Sequence, residues 1–201
     1  MKSRNVAAML LAAGALAIGA YIALRGGDSD APAAAGAPFV PGLAQRADSI
    51  TAVEVMRGNA TVRLDRQSDG SWALTSNDGY PAQTELVRGL VVSLGSLTLD
   101  EAMTTKVAQH GDLGLAWLDA PGRSRRVRLL PAEPGASPVC DVVLGDERAQ
   151  PDTVFVRTFD QPQTWRARGR VQLPGDALSW VDRSLLALPD GDVASATIRG
   201  L

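Results

Sequence analysis

Acid–base, nucleophilic and metal chemistry each need particular side chains near one another, and this chain of 201 residues offers few of them. His110 is the only histidine, so a Ser-His-Asp or Cys-His triad would have to be built around it. Its setting, AQHGDLGL, resembles a loop or helix end, and no G-x-S-x-G elbow presents a serine nucleophile. A surface or capping histidine is the ordinary reading. Cys140 is the only cysteine, which excludes an intrachain disulfide, and one Cys with one His falls short of a zinc ligand set. Carboxylates occur in adjacent pairs, Asp100-Glu101 and Asp146-Glu147. Two carboxyls at one site can serve as acid and base, yet sequence neighbours diverge on a helix or a strand, so these read as solvated. Gly89, Gly95, Gly111 and Gly114 match neither a phosphate loop nor a dinucleotide fingerprint. No catalytic, cofactor-binding or metal residue is therefore assigned. The expectation is a non-enzymatic protein without a cofactor, its ligand-binding residues unknown.

Two further groups of side chains are suited to binding. The run Arg123-Ser124-Arg125-Arg126-Val127-Arg128 is basic enough to touch phosphates or lipid headgroups. Strand alternation instead places Arg126 and Arg128 together on an outer, polar face. Trp72 and Trp180 lie in apolar patterns and read as core. Trp117 and Trp165 flank loops or short strands, where an indole can line a groove or pack at a sheet edge. A formal net charge of −2 lacks the basic footprint of a nucleic-acid binder. Only Lys2 and Lys106 of the 20 basic residues are lysines, a bias that fits a GC-rich genome.

The elements that must position these residues begin near residue 48, where the apolar period becomes two. SITAVEVMRG and NATVRLDRQ read as strands joined at Gly58-Asn59, a hairpin signal. SDG at 68–70 turns the chain into a third strand, SWALT. In PAQTELVRGLVVSLGSL, Leu86, Val87, Leu90, Val91, Leu94 and Leu97 recur at spacings of three and four. That predicts an amphipathic helix starting near Pro81 and packing on the sheet. A short strand, a helical turn and the loop Gly111–Leu115 are expected next. RRVRLLP, PVCDVVLGD, TVFVRTF and TWRARG give four more strands. DALSWVDRSLLALP reads as one or two helical turns, and VASATIRGL as a closing strand that echoes SITAVEVMRG. The expected class is α+β: a mainly antiparallel sheet, one principal amphipathic helix packed on it, and an N-terminal transmembrane helix in front.

That leading helix comes from residues 1–25. Lys2 and Arg4 precede an uncharged stretch, Val6 to Leu24, which would rise about 28 Å as a helix against a hydrocarbon core of roughly 30 Å. A retained anchor through residues 6–24 fits this length better than a cleaved signal, for which Ala15-Leu16-Ala17 offers the alternative processing site. The preceding positive charges favour a cytoplasmic N-terminus, leaving the rest in the periplasm or outside. Residues 26–42, GGDSDAPAAAGAPFVPG, read as a Gly/Ala/Pro linker of up to about 50 Å. Asp28 and Asp30 within it lack the spacing of a calcium loop. Residues 43–201 form the extracytoplasmic domain.

In order along the chain, DGSWAL, GYPAQTELVRGLVVSLGSL, GLAWLDAPG, VVLGDE, TVFVRTFDQPQTWRA and LSWVDRSLLALP resemble the bacterial family called domain of unknown function 4340, over about residues 43–201. The resemblance implies an envelope protein with an N-terminal anchor, often encoded beside ABC-type transport systems of the gliding-motility kind. It supplies no catalytic residues to carry over. It also implies that VASATIRGL sits where longer members begin a second, related unit, so the last strand either completes the first unit or starts a truncated repeat. Association through such a strand edge follows if it pairs there. The leading expectation is a membrane-tethered accessory or interaction domain with protein partners in a transport or envelope complex. A hydrolase using Asp119, Asp141 or Asp182, and a solute- or glycan-binding module using Trp117 or Trp165, are the alternatives.

Overall fold

A computed structural model describes residues 35–182, apart from Asn77 and residues 117–122. The expected anchor at 6–24, the earlier part of the linker, Trp117, Asp119, the turns beyond Asp182 and the closing VASATIRGL lie outside the described residues. Among the described residues no helix is long and apolar enough to cross a membrane.

Among the described residues nine strands form one antiparallel sheet: β1 Ile50–Arg57, β2 Ala60–Arg66, β3 Trp72–Leu74, β4 Tyr80–Ala82, β5 Thr98–Ala102, β6 Arg125–Pro131, β7 Cys140–Ala149, β8 Asp152–Thr158 and β9 Trp165–Arg168. Their spatial order is β4-β3-β2-β1-β6-β7-β8-β9-β5. Two meanders, β1 to β4 and β6 to β9, therefore run outward from the central β1/β6 pair. The helix Thr84–Ser96 carries the chain from one edge strand to the other. At about 4.8 Å per strand spacing a flat sheet of this order is about 38 Å wide. The segment from Ala82 to Thr98 reaches only about 31 Å when a helix fills most of it. The sheet must curl around the helix, and the core lies inside the curl.

Register sets which side chains face inward. Val53 and Val55 stand opposite Leu64 and Val62 on β2 and opposite Leu129 and Val127 on β6. Val142, Leu144, Val154, Val156 and Ala167 extend the same face. Val87, Leu90 and Leu94 of the helix are buried against it, with Leu86 and Val91 half-buried alongside and Leu97 sealed just past the helix end. This is the apolar stripe read from the sequence.

Pro81 lies in edge strand β4, and the helix starts three residues later than expected, at Thr84. Proline suits this place because its outward edge needs no donor from it: the Pro81 carbonyl accepts from Asp182 N at 2.8 Å. Gln83 N in turn donates to the Trp180 carbonyl at 2.8 Å. The opposite edge is covered by the other end of the described chain. Gly36 N donates to Leu99 O at 2.6 Å, Leu99 N to Ala37 O at 2.8 Å, and Phe39 N to Leu97 O at 2.8 Å. Phe39 and Val40, within the stretch read as linker, are buried in the core. Both sheet edges are thus partly blunted by the chain itself.

Candidate functional site

The convex face of the sheet is divided. Over β7 and β8 it is roofed by the 3-10 segment Val107–Leu113, and Leu115, Val143 and Phe155 form a small second core there with Leu113 and Phe159. Close approach at this point requires Gly145, since a Cβ there would sit 2.2 Å from the Leu113 carbonyl oxygen. His110 belongs to this roof. It is buried, with Nε2 2.9 Å from the Pro162 carbonyl oxygen. Of the surface or capping histidine expected, the surface position is corrected: His110 is packed, within the last turn of the 3-10 segment.

Over β2, β1 and β6 the same face is open and carries a ladder of alternating charge. Asp65, Arg63, Glu54, Arg128, Asp141 and Arg126 occupy the outward positions of neighbouring strands. Arg63 Nη2 donates to Asp65 Oδ1 at 2.8 Å and its Nη1 to Glu54 Oε1 at 2.7 Å. Arg128 Nη1 takes the other oxygen of Glu54 at 2.7 Å. Arg126 forks onto Asp141 through Nε at 2.7 Å and Nη2 at 2.6 Å, with its guanidinium 3.2 Å over the Phe159 ring. Burial alone would raise the Asp65 carboxyl, but hydrogen bonds from Arg63 and Thr75 hold it below its usual range. Asp65 in turn raises Arg63. The alternation that places Arg126 and Arg128 on one outer face is what the basic run predicts. Each is matched to a carboxylate rather than left free for a phosphate.

A cleft of about 810 Å³ lies over the β2/β1/β6 part of this ladder, walled by the β6–β7 loop, Pro131 to Pro138. The loop is shaped by Glu133-Pro134-Gly135-Ala136. Ala136 N donates to Glu133 O at 3.2 Å, and Gly135 has a φ of 82°, as a type II turn with proline second requires. Three arginines, Arg63, Arg66 and Arg128, and three carboxylates, Glu54, Asp65 and Glu133, line the cleft.

The other residues singled out in the sequence lie elsewhere. Asp100 accepts from Arg166 and Arg168, and those hydrogen bonds lower its carboxyl. Glu101 pairs with Arg166 at 2.8 Å, Glu147 with Arg125 at 2.6 Å, and Asp146 with Arg123. Asp146 and Glu147 diverge as expected, each to its own arginine, whereas Asp100 and Glu101 converge on Arg166, whose Nη2 lies 2.7 Å from one and 2.8 Å from the other. Cys140 is buried on the core face, and burial, with Asp141 beside it, pushes its thiol up to about 12. Trp165 is half-buried with its ring against the main core, as are the buried Trp72 and Trp180. Among the described residues no group of three His, Cys, Asp or Glu is placed to hold a metal ion. Glu54, Arg63 and Asp65 were not singled out by sequence. Their signal is opposite charge at the polar positions of TAVEVMR and TVRLDR, two strands joined by a tight turn.

A family model described as a domain of unknown function, DUF4340, matches residues 72–200, well over half of the chain. The chain belongs to the DUF4340 family. No curated protein and no solved structure matches it. The matched span of this DUF4340 protein starts at Trp72 in β3. β1 and β2, which bring Glu54, Arg63 and Asp65 to the cleft, precede it, yet β1 is central to the same sheet.

Proposed function

We propose that this DUF4340 protein works by binding and not by catalysis, as a membrane-tethered accessory domain outside the cytoplasm that serves a transport or envelope system. The observation that carries this reading is the pairing of its carboxylates. Asp65, Asp100 and Asp141 each accept from one or two arginines, and Asp65 and Asp100 are held toward the ionised form. A general acid needs the opposite, a carboxyl pushed up toward neutrality. Asp141, a residue of the hydrolase alternative, is clamped by Arg126 through two hydrogen bonds. The tether rests on the charged and apolar pattern of residues 2–24, and the link to transport on the family resemblance.

The test is recovery of partners from native membranes. Tagged full-length protein, solubilised in mild detergent, should bring down transporter or envelope subunits in near-stoichiometric amounts. Those partners should be lost when residues 1–25 are replaced by a cleavable signal. A protein that comes down alone contradicts the accessory role. Loss of function in Asp141→Asn, with folding intact, would favour the hydrolase.

A further inference from the structure

The open cleft on the convex face has a polar floor of charged side chains, and its chemistry narrows what it can hold. Its volume of about 810 Å³ falls in the range of ligand clefts. Its charged lining balances, three arginines against three carboxylates, so neither a polyanion nor a polycation gains from net attraction. A neutral ligand suits it. The floor groups still have hydrogen-bonding capacity. A guanidinium has five donors and a carboxylate about four acceptor positions, and the Arg63–Glu54 and Arg128–Glu54 pairs consume only some of them. The row Arg63–Glu54–Arg128, in register on β2, β1 and β6, therefore presents fixed donors and acceptors in alternation, one strand spacing apart, about 4.8 Å. A hydroxyl, which donates and accepts at once, can bridge such neighbours where a one-signed group cannot. The wall adds apolar surface with no donor of its own: Leu130, Pro131, Pro134 and Pro138.

We infer that this cleft binds a neutral, polyhydroxylated chain, that is, a glycan. Hydroxyl groups bridge the Arg63–Glu54–Arg128 row, and the C–H faces of the sugar rings lie against the prolines of the β6–β7 loop. The glycan-binding alternative of the sequence reading thereby moves from Trp165, which packs against the core, to the convex face. The inference goes beyond the accessory role and does not depend on the tether, because binding is measured on the protein alone.

The test uses the full-length chain in a zwitterionic, sugar-free detergent. It is titrated calorimetrically with maltotetraose, cellotetraose and tetra-N-acetylchitotetraose, all neutral, and separately with inorganic phosphate and a peptide of alternating Lys and Glu. At least one tetrasaccharide should bind saturably, with a Kd of about 1 mM or tighter. Two variants spare the ion-pair ladder. Arg66 is exposed, and among the described residues its side chain makes one hydrogen bond, 3.4 Å to the Asp48 carbonyl, so Arg66→Ala should keep its thermal unfolding midpoint and weaken saccharide binding about fivefold. Ser137→Trp, at an exposed position of the wall, should fill the cleft and abolish binding. Four results overturn the inference: no saccharide binding, binding of phosphate alone, binding of the peptide alone, or saccharide binding that both variants leave unchanged. Partner recovery from membranes can succeed or fail independently of each of them.

Discussion

Glu54 gives one oxygen to Arg63 and the other to Arg128 while its side chain is only 13% exposed. Removing it leaves two arginines facing each other across a partly desolvated floor. Glu54→Ala is expected to lose about 2 kcal/mol in urea unfolding. Glu85→Ala, which removes an ion pair exposed on both sides to Arg88, should stay within about 0.5 kcal/mol. Acid should act through Asp65 and Asp100. Both are lowered from 3.8, so they stabilise the fold above that value, and the contribution is lost as pH falls through their lower folded values. The urea midpoint should hold from neutrality to about pH 5 and drop below about pH 4, less steeply in Asp100→Asn. Cys140 has the opposite sign of dependence. Its thiol is raised from 9.0 to about 12, so its contribution is full below 9.0 and fades as pH rises toward the folded value. At neutral pH a thiol-labelling reagent should leave the folded protein unmodified and react promptly in denaturant.

Among the elements, two glycines separate packing from propensity. Gly95, in the helix, faces Leu43 with room for a methyl group, the nearest atom to a built Cβ being 3.8 Å away. Gly95→Ala should stabilise by roughly 0.5–1 kcal/mol, the helix propensity difference. Gly145→Ala drives a Cβ into the Leu113 backbone at 2.2 Å and into Leu115 at 2.9 Å, and should cost about 1–3 kcal/mol as the roof over β7 and β8 is displaced. Thermal unfolding of both variants checks the pair. The strands with clean alternation, β1, β2 and β6 to β9, were legible in the sequence, as was the helix with its stripe at Val87, Leu90 and Leu94. β4 was not, because Pro81 looks like a helix start and is tolerated in a strand only at an edge, a position the sequence does not reveal. The role of Phe39 and Val40 was hidden in a linker-like composition of Gly, Ala and Pro. Arg126 and Arg128 could be placed on one face by alternation. Their partners Glu54 and Asp141 lie on other strands, and pairing across β1, β6 and β7 follows from a strand order that the helix crossover sets.

At the scale of the molecule, the described residues begin and end at opposite edges of the sheet. Gly36 to Phe39 lie along β5, and Trp180 to Asp182 along β4. If residues 6–24 hold the protein in a membrane, the tether joins the domain at the β5 edge. Tethering is the claim on which the reading as an envelope module turns, and one measurement addresses it directly. Cells expressing the full-length chain, tagged at the C-terminus, are fractionated, and spheroplasts are treated with protease from outside. The account predicts a tag that pellets with membranes, resists alkaline carbonate extraction and is digested in intact spheroplasts. A chain found in the soluble fraction, or one whose tag survives until the cells are lysed, would contradict it.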